Sequence, residues 1–165
     1  MRFIRARGWL RRILGGYLGC APREVSLVRL PGGKPCLAHG ELRFNLSHTD
    51  VRALLAVSAE YTLGVDVEEI CPVPEAMLLA RRWFSKEEMR WINESGDKER
   101  AFLRCWVCRE AVLKAWGTGL AISLDALVLQ PPPYPAVPDS EGRQLLIAEL
   151  APGPECVAAI ALYEP

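Results

Sequence analysis

Gly64-Val65-Asp66-Val67-Glu68, a short apolar stretch interrupted by two acids, decides how this chain reads. Side chains alternate across a strand, so Asp66 and Glu68 share one face while Val65 and Val67 take the other. Further along, Trp106-Val107-Cys108-Arg109-Glu110-Ala111-Val112-Leu113-Lys114 belongs to a helical pattern, and Glu110 and Lys114 fall one turn apart on the same side. Three carboxylates and an ammonium make a plausible site. Hard oxygen donors of this kind suit magnesium, which takes a few carboxylates together with the phosphate oxygens of a substrate. The chemistry implied is of the phosphoryl-transfer type, not redox or peptide hydrolysis.

Working outward, helix is predicted over 2–18, where Phe3, Leu10, Ile13, Leu14, Tyr17 and Leu18 keep helical spacing and Gly19 stops it. Strands are predicted at 25–30, 42–47, 53–58 and 63–67, with Glu60-Tyr61 as the hairpin between the last two. Pro72-Val73-Pro74 opens a helix running to about Arg82. Ser85 with Glu88 three residues on forms a capping box for a helix over 86–93. The strongest helix spans 98–116 and ends at Gly117-Thr118-Gly119. Strands are expected near 127–130, 144–149 and 157–163, with Pro131-Pro132-Pro133-Tyr134-Pro135 as a surface loop.

The chain of 165 residues is 50% hydrophobic and 24% charged, the balance of a globular protein of one domain or two small halves. No apolar run is long enough to cross a membrane. The net charge is zero but uneven: residues 1–34 carry eight Arg and Lys against one acid, and the remainder is acidic to match. A basic lobe beside an acidic one suits a polyanionic ligand that is partly metal-bound. The arginine-rich start reads as an amphipathic helix in preference to a transit peptide, and the location expected is the cytoplasm. Of six cysteines, Cys105 and Cys108 form the one C-x-x-C, inside a helix, where packing is the plain reading.

Taken singly, each site feature has an ordinary counterpart: a solvated strand face for Asp66 and Glu68, a surface ion pair for Glu110 and Lys114, a turn for Ser47-His48, an exposed loop residue for Lys34. Their order is what counts. Gly33-Lys34-Pro35, Phe44-Asn45-Leu46-Ser47-His48, Gly64-Val65-Asp66-Val67-Glu68, Phe84-Ser85-Lys86-Glu87-Glu88 and Trp106-x-x-Arg109-Glu110-Ala111-x-x-Lys114 follow one another along the chain. This succession resembles the 4′-phosphopantetheinyl transferases, in the long surfactin-synthetase-activating type, over nearly the whole chain.

The resemblance implies an α+β, pseudo-duplicated fold of two halves, each an antiparallel sheet packed with helices, with coenzyme A between them. Residues 1–61 would be an N-terminal half truncated of its first strands, and 62–165 the C-terminal half carrying the metal site. The exposed sheet edge of such a lobe makes dimerisation an expectation beside the family's usual monomer. The implied reaction moves phosphopantetheine from coenzyme A to a serine of an apo acyl or peptidyl carrier protein, releasing 3′,5′-ADP. Neither nucleic acid nor membrane is expected as a partner, and secondary metabolism is the expected setting.

The resemblance also implies roles. Asp66, Glu68 and Glu110 would hold magnesium, or manganese in its place. Asp66, Glu110 and Lys114 would be catalytic, with Glu110 orienting or deprotonating the serine and Lys114 offsetting charge on the leaving group. Ser47 and His48 would bind a coenzyme A phosphate, Lys34 and Pro35 the nucleotide end, and Arg2 the 3′-phosphate. Where the family reads Lys-Glu-Ala, this chain has Arg109-Glu110-Ala111, which keeps the charge but presents a planar fork. The competing readings are a non-catalytic relative that binds coenzyme A or a carrier protein, and a metal-dependent phosphoesterase. The stretch Met89-Arg90-Trp91-Ile92 reads either as core or as a carrier-recognition surface.

Overall fold

The structure, a computed structural model, describes residues 2–40, 42–117, 127–134, 137–138 and 144–164. Helix α1 (Arg2–Leu18) carries Leu10 and Leu14 on one face, and both are buried against Val25 and Phe44. Two short antiparallel pairs complete this first cluster: β1 (Leu27–Arg29) with β2 (Pro35–Leu37), and β3 (Arg43–His48) with β4 (Ala53–Ser58). The turn between β3 and β4 is closed by Thr49, whose hydroxyl accepts the N–H groups of Val51 and Arg52. Glu69 from the next strand accepts the Asp50 N–H and so ties that turn down.

The second cluster is built on an antiparallel sheet in the order β5 (Thr62–Glu69), β8 (Cys156–Tyr163), β7 (Gln144–Leu150), with the two-residue β6 (Val137–Pro138) at its edge. Helix α4 (Lys98–Trp116) lies across one face, flanked by α2 (Ala76–Trp83) and α3 (Lys86–Glu94). Burial stabilises both faces of β5: Ala159 and Ala161 of β8 are fully buried in the α4 core, while Val67 packs with Ala158 and Leu54 on the other face. Val65 and Val67, each 1% exposed, contribute about 1.5–3 kcal/mol apiece by leaving water. The capping box at Ser85 forms as predicted, Ser85 Oγ accepting from the Glu88 N–H and Glu88 accepting from the Ser85 N–H. Ile92 is fully buried, Met89 and Trp91 pack on the core while staying partly exposed, and Arg90 is exposed.

The two clusters meet edge to face along β5. The β5 N–H groups that do not pair with β8 would be left bare there, and side chains of β3 supply the acceptors. The Asn45 side-chain carbonyl accepts the Val65 N–H at 2.8 Å, and Ser47 Oγ accepts that of Val67 at 3.4 Å. Polar β3 residues at odd positions therefore face β5, and apolar Phe44 and Leu46 face α1.

Two sequence expectations differ from the structure. Glu60-Tyr61 is not a hairpin: β4 pairs with β3 and β5 with β8, and Ser58 Oγ accepts the N–H groups of Glu60 and Tyr61 at the crossover. The eight-residue β8 offers β5 a longer, wholly apolar partner than β4 does. Residues 127–130 form no strand; the Leu127 and Leu129 carbonyls accept from Arg109 and Ser85 side chains instead of a ladder. Residues 131–134 of the proline-rich segment form a loop, Pro135 lies outside the described residues, and Tyr134 packs on the α4 core. The strand Pro35–Leu37 was not anticipated, because a proline opens it.

Candidate functional site

Asp66 is the centre. Its carboxylate is 3% exposed and accepts from Ser47 Oγ at 2.7 Å and from the Lys114 ammonium on the same oxygen, Oδ1. The ammonium also reaches Ser47 Oγ at 3.1 Å. Lys114 comes from the last turn of α4, Asp66 from the middle of β5 and Ser47 from β3, so the two clusters and the helix converge here. The second carboxylate oxygen, Asp66 Oδ2, is buried with no hydrogen-bond partner.

Gly64 makes that convergence possible. A Cβ at this position would lie 2.0 Å from the Ala111 carbonyl oxygen and 2.3 Å from the Ala115 nitrogen. The helix backbone thus rests directly on the strand, and the fully or almost fully buried Ala111 and Ala115 flank the seam. Lys114, one position before Ala115, is thereby brought into hydrogen-bond contact with Asp66, and Glu110, one turn earlier on the same side, into its electrostatic neighbourhood. A glycine inside a strand pattern signals such close approach, and its role escaped the sequence reading.

Glu68 and Glu110 are half-buried. Burial pushes the Glu110 carboxyl up, the charge of Asp66 adds to this, and Lys114 opposes it. The Glu68 carboxyl is raised by burial first and by Asp66 next. The three acids therefore share one electrostatic neighbourhood. Among the described residues no three acid, histidine or cysteine side chains are gathered tightly enough to make a preformed metal centre. Lys114 supplies the positive charge at Asp66 Oδ1, while the unpartnered Oδ2 and the two raised carboxyls leave acceptors that a hard divalent ion fits by donor type.

Beside this centre, on the opposite face of β3, a cavity of about 300 Å³ is lined by Arg7, Leu10, Arg11, Leu27, Val28, Arg29, Pro35, Leu46 and His48. Three arginines and a histidine on apolar walls give the cavity anion-binding character. Arg11 donates through one nitrogen to the Val25 and Pro22 carbonyls and Arg29 through one to the Gly33 carbonyl, so each of these two guanidinium groups keeps further N–H groups for a ligand. Ser47 and His48 are consecutive, so they point apart: His48 into the pocket, Ser47 to Asp66. Pro35 lines the cavity. Arg2 begins α1, and its side chain lies outside the described residues. Lys34 points elsewhere, its ammonium donating to the Leu63 carbonyl at 2.8 Å and the Ala115 carbonyl at 3.2 Å.

Arg109 is also away from the cluster. It is 1% exposed, pairs with the fully buried Glu88, donates to the Leu127 carbonyl and lies over the Phe84 ring. Its planar fork braces the Phe84–Glu88 segment and the chain after α4, while Glu110, next in sequence, feels the charge of Asp66. Cys105 and Cys108 are free and buried, and burial pushes the Cys108 thiol up to about 12. Burial keeps such a thiol protonated, the less reactive form.

The 4′-phosphopantetheinyl transferase superfamily matches residues 62–141. The 4′-phosphopantetheinyl transferase HetI of Nostoc is 39% identical over 167 residues, covering 98% of this chain and 70% of the relative. The mouse L-aminoadipate-semialdehyde dehydrogenase-phosphopantetheinyl transferase is 28% identical, over 75% of this chain and 45% of its own length. The chain therefore spans between about half and 70% of these relatives. The crystal structure of Thermotoga maritima holo-[acyl-carrier-protein] synthase is similar over 62% of each chain, with 20% identity and a TM-score of 0.45. By its identity to the Nostoc relative and the share of that protein it covers, this chain belongs to the 4′-phosphopantetheinyl transferase superfamily.

Proposed function

We propose that this protein transfers 4′-phosphopantetheine from coenzyme A to a serine hydroxyl of an apo carrier protein and releases 3′,5′-ADP. The observation that carries the reading is the convergence of Asp66, Lys114 and Ser47 beside Glu68 and Glu110, with an arginine-lined pocket on the other side of β3. The pocket accepts the nucleotide and its phosphate through Arg7, Arg11, Arg29 and His48. The pyrophosphate then reaches the acidic centre past the end of β3.

In the reaction the serine oxygen bonds to the phosphorus bearing the pantetheine arm, and the bond from that phosphorus to the departing nucleotide phosphate breaks. Glu110 accepts or orients the serine proton. Lys114 offsets the charge growing on the leaving phosphate, a preorganised contact in a partly dehydrated site. Ser47 holds both Asp66 and Lys114 in register. Magnesium on Asp66, Glu68 and Glu110 would supply Lewis-acid charge to the pyrophosphate.

Coenzyme A labelled on its thiol with a fluorophore tests this against a panel of apo carrier proteins. Label fixed to a carrier and lost when the carrier's serine is replaced is the expected result. Label bound by this protein but never passed on, across the panel and with magnesium present, would make it a coenzyme A-binding relative. Release of 3′,5′-ADP with no carrier present would make it a phosphoesterase.

A further inference from the structure

The loop lysine that the motif order assigns to the nucleotide spends its donors inside the protein. Lys34 closes the turn between β1 and β2, where its carbonyl accepts the Leu30 N–H. Its ammonium bridges two elements of the other cluster, Leu63 on β5 and Ala115 in the last turn of α4. The Ala115 carbonyl is one of the last four of the helix, which have no partner within it. A cation there completes the hydrogen bond and complements the negative end of the helix dipole. The stem packs as well: a Cβ on Gly117, the left-handed cap of α4 at φ 70°, would sit 3.5 Å from Lys34 Cδ. Two of the three ammonium protons are thus committed.

What Lys34 holds is the wall of the anion pocket. Strands β1 and β2 have three residues each, too few to keep their place by their own pairing. Arg29 and Pro35, which face the cavity, are cross-strand partners in this hairpin, and Pro35 follows Lys34 directly. Ala115 follows Lys114. One side chain therefore ties the pocket wall to the helix turn that carries the ammonium at Asp66.

We infer that Lys34 is a positioning residue that docks the β1–β2 hairpin onto the end of α4, setting the distance between the anion pocket and the acidic centre, and not a contact to the nucleotide. The inference rests on the pocket being the nucleotide site, so its test has an arm that needs neither coenzyme A nor a carrier. Lys34→Met removes the donors and keeps the stem; Lys34→Gln keeps a shorter polar group; Lys34→Arg restores the charge. Whichever of the first two retains the wild-type circular dichroism spectrum is read by hydrogen exchange in the ligand-free protein.

Exchange in peptides covering 27–37 should quicken roughly tenfold to a hundredfold, the scale of losing a hydrogen bond to a charged group, and Lys34→Arg should reverse much of it. Unchanged exchange there would overturn the inference, whatever the activity. With coenzyme A and carrier, the same variant should raise the coenzyme A KM more than it lowers kcat. A raised KM alongside unchanged ligand-free exchange is the signature of direct nucleotide contact and would likewise overturn it. Absence of any transfer in the wild type would sink the proposed function and leave the exchange result standing.

Discussion

Gly64→Ala should disable the site without removing a single chemical group from it. The added methyl would sit 2.0 Å from the Ala111 carbonyl oxygen and 2.3 Å from the Ala115 nitrogen, both backbone atoms that cannot swing aside. Ordinary contact needs about 3.4 Å, so α4 must lift by roughly 1 Å or more along the segment that carries Glu110 and Lys114. Overpacking of this kind costs about 1–3 kcal/mol. The misplacement matters more, because a shift of about 1 Å in a positioned group lowers turnover on the order of 100-fold. Thermal unfolding by circular dichroism and the rate of holo-carrier formation measure the two effects. The expected result is a folded protein, destabilised by a few degrees, with activity down about 100-fold. A Gly64→Ala protein with wild-type melting and turnover would refute the packing argument and the convergence built on it.

Arg109→Met should destabilise by about 3–5 kcal/mol, since it strands the buried Glu88 carboxylate without its partner, and Glu88→Leu added to it should recover much of the loss; chemical denaturation of the single and double variants checks this. Lys114→Ala should lower kcat on the order of 100-fold with a smaller rise in coenzyme A KM, read from steady-state kinetics; equal effects on both would mark a binding role. The Glu68 and Glu110 carboxyls are raised above 4.5, so the folded state keeps protons there that the unfolded chain has released. Their contribution is fully present below 4.5 and is lost as pH rises through the raised values, so metal-free stability should fall across that window. Magnesium should reverse the fall, and a melting temperature indifferent to magnesium at pH 7 to 8 would contradict the ligand assignment.

How far the sequence carried this reading depended on whether the controlling interaction was local. The capping box at Ser85, the α4 span and the shared face of Asp66 and Glu68 follow from spacing of a few residues, and all three are in the structure. Pairing partners were less accessible. The β4–β5 hairpin was inferred from adjacency, whereas β5 takes its partner from the far end of the chain, where the long apolar β8 lies. Residues 127–130 looked like a strand by their apolar content, but the side chains of Ser85 and Arg109 occupy the carbonyls a ladder would need. Arg109 and Lys34 were read by the charges they carry, and both are held inside the fold by groups distant in sequence. No periodicity announces that a lysine will cap a helix 81 residues away.

The central claim is that this site moves a phosphopantetheine arm onto a carrier serine, and the intact mass of an apo carrier protein tests it most directly. The carrier is incubated with this protein, coenzyme A and magnesium, with a chelated control and an Asp66→Asn control. The account predicts a gain of one phosphopantetheine that depends on magnesium and is lost with Asp66→Asn in a protein that stays folded. A gain undiminished by chelation and by Asp66→Asn would contradict the site described here, and no gain on any carrier tried would contradict the reaction.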